Sequence, residues 1–405
     1  MIFDNQLRYA IQIVENYKGD MPLHAWLKDY FRLNKQMGSR DRKMLSTLVY
    51  SFYRLGHAIK DTPINQRLLI GLFLCNEQPG GMLEYFRPPW AQKTSAGLKE
   101  KIDFIQQQPE GRDFQPTDIF PWKEELSPAI DHVAYCLSFL RQPDLFLRIR
   151  PGYETVVREK LAGITAKPTS ATTTHAGANP EFITENTIRL PNGFNVEAHF
   201  TPDKEVVVQD YSSQRVAAFL KPIEQTKEPR FFWDACAASG GKSILAHDLY
   251  PDLDILVSDI RTAILHNLKV RFHTAGIKKY NSFLADLSKQ QPPASAANAE
   301  LILTDVPCTG SGTWGRTPED LYFFDPAAIL RYSALQKRIM ANIAPHVAPD
   351  AALIYCTCSV FKKENEEMIA YIRDTTRLKV QSAQNIQGYD QHADTLFAAR
   401  LSHSH

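Results

Sequence analysis

The chain has 405 residues, 44% of them hydrophobic and 22% charged, which is apolar material enough for two or three buried cores in a globular protein. A formal net charge of +1 gives no overall attraction to a polyanion, so any nucleic-acid site would have to be a local patch. Its six cysteines (Cys75, Cys136, Cys236, Cys308, Cys356 and Cys358) include no Cys-x-x-Cys pair and lie in a long chain, which argues against bound metal and against a disulfide scaffold.

The N-terminal "MIFDNQLRYAIQIVENY" has helical spacing and early acidic residues, without the apolar centre of a signal peptide, and no run approaches a membrane span. A cytoplasmic protein with no membrane contact, acting as a monomer, is expected. Residues 1–135 read as a helical domain. Its clearest segment is "GSRDRKMLSTLVYSFYRLGHAI": Ser39 is a candidate N-cap, Asp41 sits in the first turn, and Met44, Leu45, Leu48, Val49, Phe52 and Tyr53 share one face. Ahead of that face Arg32, Lys35, Arg40, Arg42 and Lys43 cluster, a composition that suits either phosphate contact or an ordinary solvated surface. Between 76 and 125, frequent Pro, Gly and Gln predict loops around shorter helices.

From 144 the texture changes. "LFLRIRP" reads as a strand and "YETVVREKLAGI" as a helix, followed by a Thr/Ala/Pro-rich stretch near 167–180. "NTIRLPNGFNVEAHF" then places two alternating runs about Asn192-Gly193, a hairpin signal. Residues 144–204 are therefore expected to be a small α/β module, with a larger domain over 205–405.

In that larger region "RFFWDA", "DILVSD", "NSFLAD", "LILTD" and "AALIYCT" are apolar runs separated by helical segments, the pattern of parallel strands with crossover helices on both faces. Asp234, Asp259, Asp286 and Asp305 fall at or near strand ends, at the edge where open α/β sheets bind ligands.

After the first of these strands comes "DACAASGGKS", which has the second half of a phosphate-binding loop, Gly241-Lys242-Ser243. The first glycine of that motif should stand at 236, where this chain has Cys236. Asp259, 18 residues beyond Gly241, is suited to the two hydroxyls of a ribose, which a nucleoside-triphosphate hydrolase does not require. A nucleoside ligand lacking a diphosphate fits the loop better, and S-adenosylmethionine is the common one. A P-loop hydrolase is the weaker alternative.

Two further segments, "DVPCTGSGTWGRTPEDL" (305–321) and "YCTCSVFKKENEEMI" (355–369), each put a cysteine directly after a core strand, where its side chain can face the ligand edge. With these motifs, with Glu364-Asn365-Glu366, with "VQDYSSQ" and with Gln336, the chain resembles the Sun/RsmB-type RNA cytosine-5 methyltransferases. The resemblance is strong over 205–370, weaker over 144–204, and at the N-terminus extends to the NusB-like helical domain that some members carry. It implies a Rossmann-like class I S-adenosylmethionine-dependent methyltransferase domain, preceded by a small α+β RNA-binding module and a helical N-terminal domain.

The chemistry agrees. Carbon 5 of cytosine is a poor nucleophile until a thiolate adds to carbon 6, so one activated cysteine is needed, and a second nearby group must later accept the carbon-5 proton. The resemblance implies Cys358 as nucleophile, Cys308 as the residue assisting release, and Asp305 at the cytosine edge. It implies donor contacts from Cys236, Ala237, Ala238, Ser239, Gly240, Gly241, Lys242, Asp259, Asp286 and Asp305. Cys356 is expected to pack inside, pointing away from the side of Thr357. The implied partner is RNA, ribosomal before transfer RNA, at a cytosine in a loop or a locally opened helix. A non-catalytic RNA-binding assembly factor of the same fold is the rival, although such a protein has no use for two thiols. Ser239 stands where the family usually has Pro, and "ADTLFAARLSHSH" replaces the family's usual signal for the last strands, which leaves those strands unassigned.

Overall fold

The stripe read from Met44 to Tyr53 lies on a helix spanning Ser39–Arg54, and Leu45, Leu48, Val49, Phe52 and Tyr53 are buried along it. The helix begins one residue earlier than a Ser39 cap would give: Gly38 is the capping residue, and its N–H donates to Asp41 Oδ2 at 3.2 Å. The structure is a computed structural model that describes residues 2–78, 80–165, 180–221 and 228–403. The Thr/Ala/Pro-rich stretch at 167–179 lies outside the described residues.

The chain divides into two units. The first comprises Met1–Glu124, Asp131–Gln142 and Thr313–Asp325. It is helical, with short helices at Gly81–Phe86, Pro88–Ala91 and Leu98–Gln106 in the Pro- and Gly-rich part. Residues 313–325, which follow the Cys308 motif in sequence, contribute to its interior. Trp314 and Leu321 are buried, Phe323 meets Tyr17 edge-on, and Glu319 Oε1 accepts from Leu23 N at 3.0 Å. Arg54, 4% exposed, donates to the carbonyls of Phe139, Arg141 and Gly315, which accounts for its burial.

The second unit comprises Glu125–Ile130, Pro143–Gly312 and Pro326–His405, and contains two sheets. The smaller is formed by β1 (Leu145–Ile149), β2 (Glu181–Thr184), β3 (Thr187–Leu190) and β4 (Val206–Val208), in the order β2-β3-β1-β4 with every pair antiparallel. Helix Glu154–Thr165 buries Val157 and Leu161 against Leu147, Ile149, Ile188 and Val206. The expected hairpin about Asn192-Gly193 does not form. The hairpin is one turn earlier, joining β2 to β3 through Glu185 and Asn186. After Pro191 the chain enters a turn in which the Asn195 side chain accepts from Ala198 N, so the second alternating run becomes a 3-10 turn at Val196–Ala198. β4 lies past residue 204, so the four-stranded sheet continues to Val208, four residues beyond the expected end of the module.

The larger sheet contains β5 (Phe231–Asp234), β6 (Asp254–Asp259), β7 (Tyr280–Leu284), β8 (Leu301–Asp305), β9 (Ala352–Thr357), β10 (Leu378–Ile386) and β11 (Leu396–His403). Its order is β10-β11-β9-β8-β5-β6-β7, with β5 to β9 parallel and β11 antiparallel between β9 and β10. Helices Gly241–Leu249 and Thr262–Thr274 cover one face through Ile244, Leu245, Leu265, Leu268 and Phe272. Helices Ala327–Ile343 and Glu366–Thr375 cover the other through Ile339, Met340, Ile343, Met368 and Ile372. The expected crossover helix between β7 and β8 is reduced to a 3-10 turn, Ala294–Ala296, where Pro292 and Pro293 break the helical hydrogen bonding. The last two strands do form, and Thr357 on β9 stands opposite Phe397 on β11. From β5 the chain steps outward through β6 and β7, then returns to the other side of β5 as β8 and β9. That reversal opens a crevice at the carboxyl ends of the strands.

Among the described residues, no helix is long and apolar enough to cross a membrane, and no group of His, Cys, Asp and Glu could hold a metal ion.

Candidate active site

The loop after β5 turns through two left-handed residues, Ala238 (φ 47°) and Gly240 (φ 81°), before helix Gly241–Leu249 begins. A Cβ at Gly240 would meet Phe272 at 2.8 Å and Leu268 at 3.0 Å, so this turn requires a residue without a side chain. Ala237 N donates to Ser258 O at 2.9 Å, and Ala238 N to Asp259 Oδ2 at 3.0 Å, which docks the loop on the end of β6.

Asp259 receives three further bonds, from Arg261 N (2.9 Å), Nε (3.0 Å) and Nη2 (3.2 Å). Burial opposes its ionisation, but the Arg261 donors outweigh it and hold the carboxyl below the usual range. Asp286, two residues past β7, accepts from Ser288 N and Oγ and pairs with Lys289. Ile260 (57% exposed) and Leu284 (55% exposed) leave apolar surface beside these two acids, and Leu284 is the register partner of Asp259. Cys236 is half-buried in the same loop, its thiol pushed up by desolvation and by nearby carboxylates, which suits a filler more than a nucleophile.

Lys242 and Ser243 decide against a phosphate loop. Lys242 Nζ lies 2.6 Å from Asp305 Oδ2 on the neighbouring strand β8. Burial alone would discharge this ammonium, but the Asp305 carboxylate overcomes it and the net direction is upward. The Ser243 hydroxyl, which a phosphate loop would turn to a magnesium ion, is fully buried and donates to Asp234 Oδ2 at 2.6 Å.

The two motif cysteines meet. Cys308 Sγ and Cys358 Sγ are 3.3 Å apart, one following β8 and the other β9. The Cys308 thiol is pushed well above its ordinary value, first by its hydrogen bond to Cys358 and then by burial. Cys356, between Tyr355 and Thr357 on β9, is fully buried in the core.

What holds the cysteines is a carboxylate that the motif pattern contains but whose role spacing alone does not reveal. Glu364, fully buried, accepts from Thr309 N (2.9 Å), Thr309 Oγ1 (2.6 Å), Gln336 Nε2 (3.1 Å) and the Ser359 hydroxyl. Thr309 directly follows Cys308 and Ser359 directly follows Cys358, so one side chain fastens both thiol-bearing loops. Burial raises the Glu364 carboxyl despite those donors. Next to it Asn365 donates to Ser359 O and Ser127 Oγ and accepts from Thr357 Oγ1 at 2.6 Å. Gly312 closes the arrangement: its N–H donates to Cys358 O, and a Cβ there would fall 1.8 Å from Thr395 O. The only sequence sign of this network was the Glu-Asn-Glu run six residues after Cys358, together with Gln336.

Thus Cys236, Ala237, Ala238, Ser239, Gly240, Gly241 and Lys242 form one loop, Asp259 and Asp286 flank it, and Asp305, Cys308 and Cys358 come from the next two strands. An open, largely parallel sheet with this reversal, a glycine turn after its first strand and an acid at the end of the second is the Rossmann-like architecture of class I methyltransferases. Residues 217–401 match the family described as "16S rRNA methyltransferase RsmB/F". The chain is 33% identical over 239 residues to a probable ribosomal RNA small subunit methyltransferase B of Synechocystis, covering 58% of this chain and 50% of that one. With the probable ribosomal RNA small subunit methyltransferase B of Bacillus subtilis the identity is 31% over 194 residues, covering 47% and 42%. The chain thus spans about half the length of the curated relatives it matches. The solved structure of PH0851 shares the fold at 18% identity, with a TM-score of 0.65 and 97% and 96% of the two chains covered. A methyltransferase homologue from Pyrococcus horikoshii does so at 18% identity, with a TM-score of 0.52 and coverage of 69% and 92%.

Proposed function

We propose that the chain is an S-adenosylmethionine-dependent RNA (cytosine-5) methyltransferase acting on ribosomal RNA in the cytoplasm. The observation that carries this reading is the pair of thiols 3.3 Å apart at the sheet edge, beside the Lys242–Asp305 ion pair. Residues 217–401 fall in a family described as acting on 16S ribosomal RNA, which supports the substrate class.

The residues present fit the methyl donor. Asp259 can accept ribose hydroxyls once Arg261 yields its place, the exposed surfaces of Ile260 and Leu284 suit a flat apolar ring, and Asp286 lies just beyond β7. When bound, S-adenosylmethionine supplies an electrophilic methyl group.

The protein's own work falls on the base. Cys358, as thiolate, forms a bond to carbon 6 of cytosine, and the electron pair of the 5,6 double bond moves towards carbon 5, which becomes the nucleophile. Asp305, held in place by Lys242 Nζ 2.6 Å away, hydrogen-bonds the cytosine edge as the ring gains charge. Cys308 begins protonated, its thiol held well above the ordinary value first by its hydrogen bond to Cys358 and then by burial. Once the Cys358 sulfur is bonded to carbon, its hydrogen bond with Cys308 is lost; Cys308 gives its proton to solvent water and, as thiolate, takes the proton from carbon 5. As that proton leaves, its electron pair restores the double bond and the Cys358–carbon 6 bond breaks, which returns a thiolate. The cytosine must leave its stack to reach Cys358, so the substrate is an unpaired or locally opened site.

We further assign RNA binding to the four-stranded module of 144–204 continued through β4, and a NusB-like role to the helical residues 1–135. The test is tritium transfer from labelled S-adenosylmethionine to total unmodified RNA. Wild type labels cytosine carbon 5, Cys358→Ala is lower by about a thousandfold or more, and Cys308→Ala accumulates a covalent protein–RNA adduct. No label from wild type, or full activity in Cys358→Ala, refutes the reading.

A further inference from the structure

Ser239 sits between the two left-handed residues of the glycine loop, Ala238 and Gly240, where a rigid residue would be the simple solution. Backbone of this kind persists only when its surroundings over-determine it. The surroundings here include one long side chain. Arg271 Nη1 donates to both Ser239 O and Ser239 Oγ, each at 3.0 Å, so a single nitrogen grips the residue by its backbone and its hydroxyl.

Arg271 is itself held from the other side. Its Nε and Nη2 donate to the two carboxylate oxygens of Asp203 at 2.9 and 2.7 Å, a fork-to-fork pair with side-chain exposures of 22% and 15%. Asp203 lies in the turn that leads into β4 and is fixed at every polar atom: its N–H donates to Val206 O at 2.7 Å, and its carbonyl accepts from Arg150 Nη1 at 2.9 Å. Its φ of 62° is a further sign that the turn is pinned. Arg150 continues the chain of contacts to Asp248, on the helix that the glycine loop starts.

We propose that Arg271 is a positioning residue for the donor site, latching the Ser239 turn to Asp203 so that methyl-donor affinity is set in part from the four-stranded module. Arg271 and Asp203 are outside the donor contacts assigned above. The latch does for this loop what a proline at 239 would do by covalent restriction, and it does so with groups on two other elements. This inference rests on the reading of the loop as a donor site.

The experiment measures S-adenosylhomocysteine affinity by calorimetry, and amide hydrogen exchange of residues 237–241 without ligand. Arg271→Ala should weaken S-adenosylhomocysteine binding by about tenfold and speed loop exchange by a similar factor. In turnover, KM for S-adenosylmethionine should rise in the same proportion with kcat within about twofold. Asp203→Asn keeps a residue tolerant of positive φ but removes the ion pair, and should weaken binding by about threefold. The double variant should bind no worse than Arg271→Ala, because both substitutions open one latch. Affinity and exchange of Arg271→Ala within about twofold of wild type, or losses that simply multiply in the double variant, would overturn the proposal. If wild type binds no S-adenosylhomocysteine, the donor-site reading fails instead, and the exchange arm still reports whether the latch holds the loop.

Discussion

The glycine loop before Lys242 and the paired cysteine loops lie at the same sheet edge but are held by different means. The first is a short turn braced from outside, by a backbone bond to β6, by Asp259 and by the partly exposed Arg271. The second is braced from within: Glu364 and Asn365, both fully buried, tie the residues next to Cys308 and Cys358 to each other. The difference suits the chemistry. Under the function proposed above, the donor loop must let one ligand in and another out at each turnover, while the nucleophilic thiol and the one that assists release must keep one separation throughout.

The largest effect should come from the buried brace. Glu364→Ala leaves the Thr309, Ser359 and Gln336 donors without their shared acceptor in a site that excludes water. A loss of about 3–5 kcal/mol in unfolding stability is expected, with methyl transfer falling by about a thousandfold even where the protein is folded. Glu364→Gln, which keeps shape and one acceptor, should retain most of the stability. Denaturant unfolding with single-turnover transfer checks both, and an Ala variant within about 1 kcal/mol of wild type would mean that the cysteine loops are held by something else.

The two glycines sharpen the contrast at the level of backbone. A methyl group at Gly312 collides with the Thr395 carbonyl, whose own residue is hydrogen-bonded back to Gly312, so nothing can yield locally. At Gly240 the obstacles are the Phe272 and Leu268 side chains, which can shift, although the positive φ adds strain. Gly312→Ala should therefore destabilise by about 3 kcal/mol or more, against about 1–2 kcal/mol for Gly240→Ala. Melting curves of the two variants test the order, and a reversed order would remove the distinction between the loops.

How much of this was legible in the sequence follows the same division. The five parallel strands were readable because each carries a short apolar run between helical segments, and four of those runs reach an acid at or just beyond their end. The glycine loop and both cysteines were readable because they are contiguous motifs. The hairpin about Asn192-Gly193 misled because the dipeptide does make its turn, Phe194 N donating to Pro191 O, but the Asn195 side chain then accepts from Ala198 N and coils the run that should have been the second strand. The Glu364 network and the Arg271 latch were not readable as such, since they join residues 55 and 68 positions apart, and only the fold brings those together. The inclusion of 313–325 in the helical unit was hidden for the same reason.

The smallest predicted effect concerns Asp234, beneath the glycine loop, and separates structural acids from ligand-facing ones. Asp234 is 1% exposed, and burial pushes its carboxyl up to about 7, with Asp305 and Asp259 adding to the push and Ser243 opposing it. Because the folded-state value is raised, the folded protein holds a proton there that the unfolded chain gives up near pH 4, so the penalty is absent below that pH and grows as pH rises towards 7. Asp234→Asn keeps the shape and an oxygen for Ser243 while removing the ionisation. It should match wild type in stability near pH 4 and exceed it by on the order of 1 kcal/mol at pH 8. Asp259 has its carboxyl shifted the opposite way by the Arg261 donors, so its contribution is full above the ordinary carboxylate range and is lost only as pH falls below it, and Asp259→Asn should show the same deficit at pH 4.5 and pH 8. Urea unfolding at pH 4.5 and pH 8 distinguishes the two. A stability difference between Asp234→Asn and wild type that is the same at both pH values would show that Asp234 stays ionised in the fold, and that Lys242 serves two carboxylates instead of belonging to Asp305.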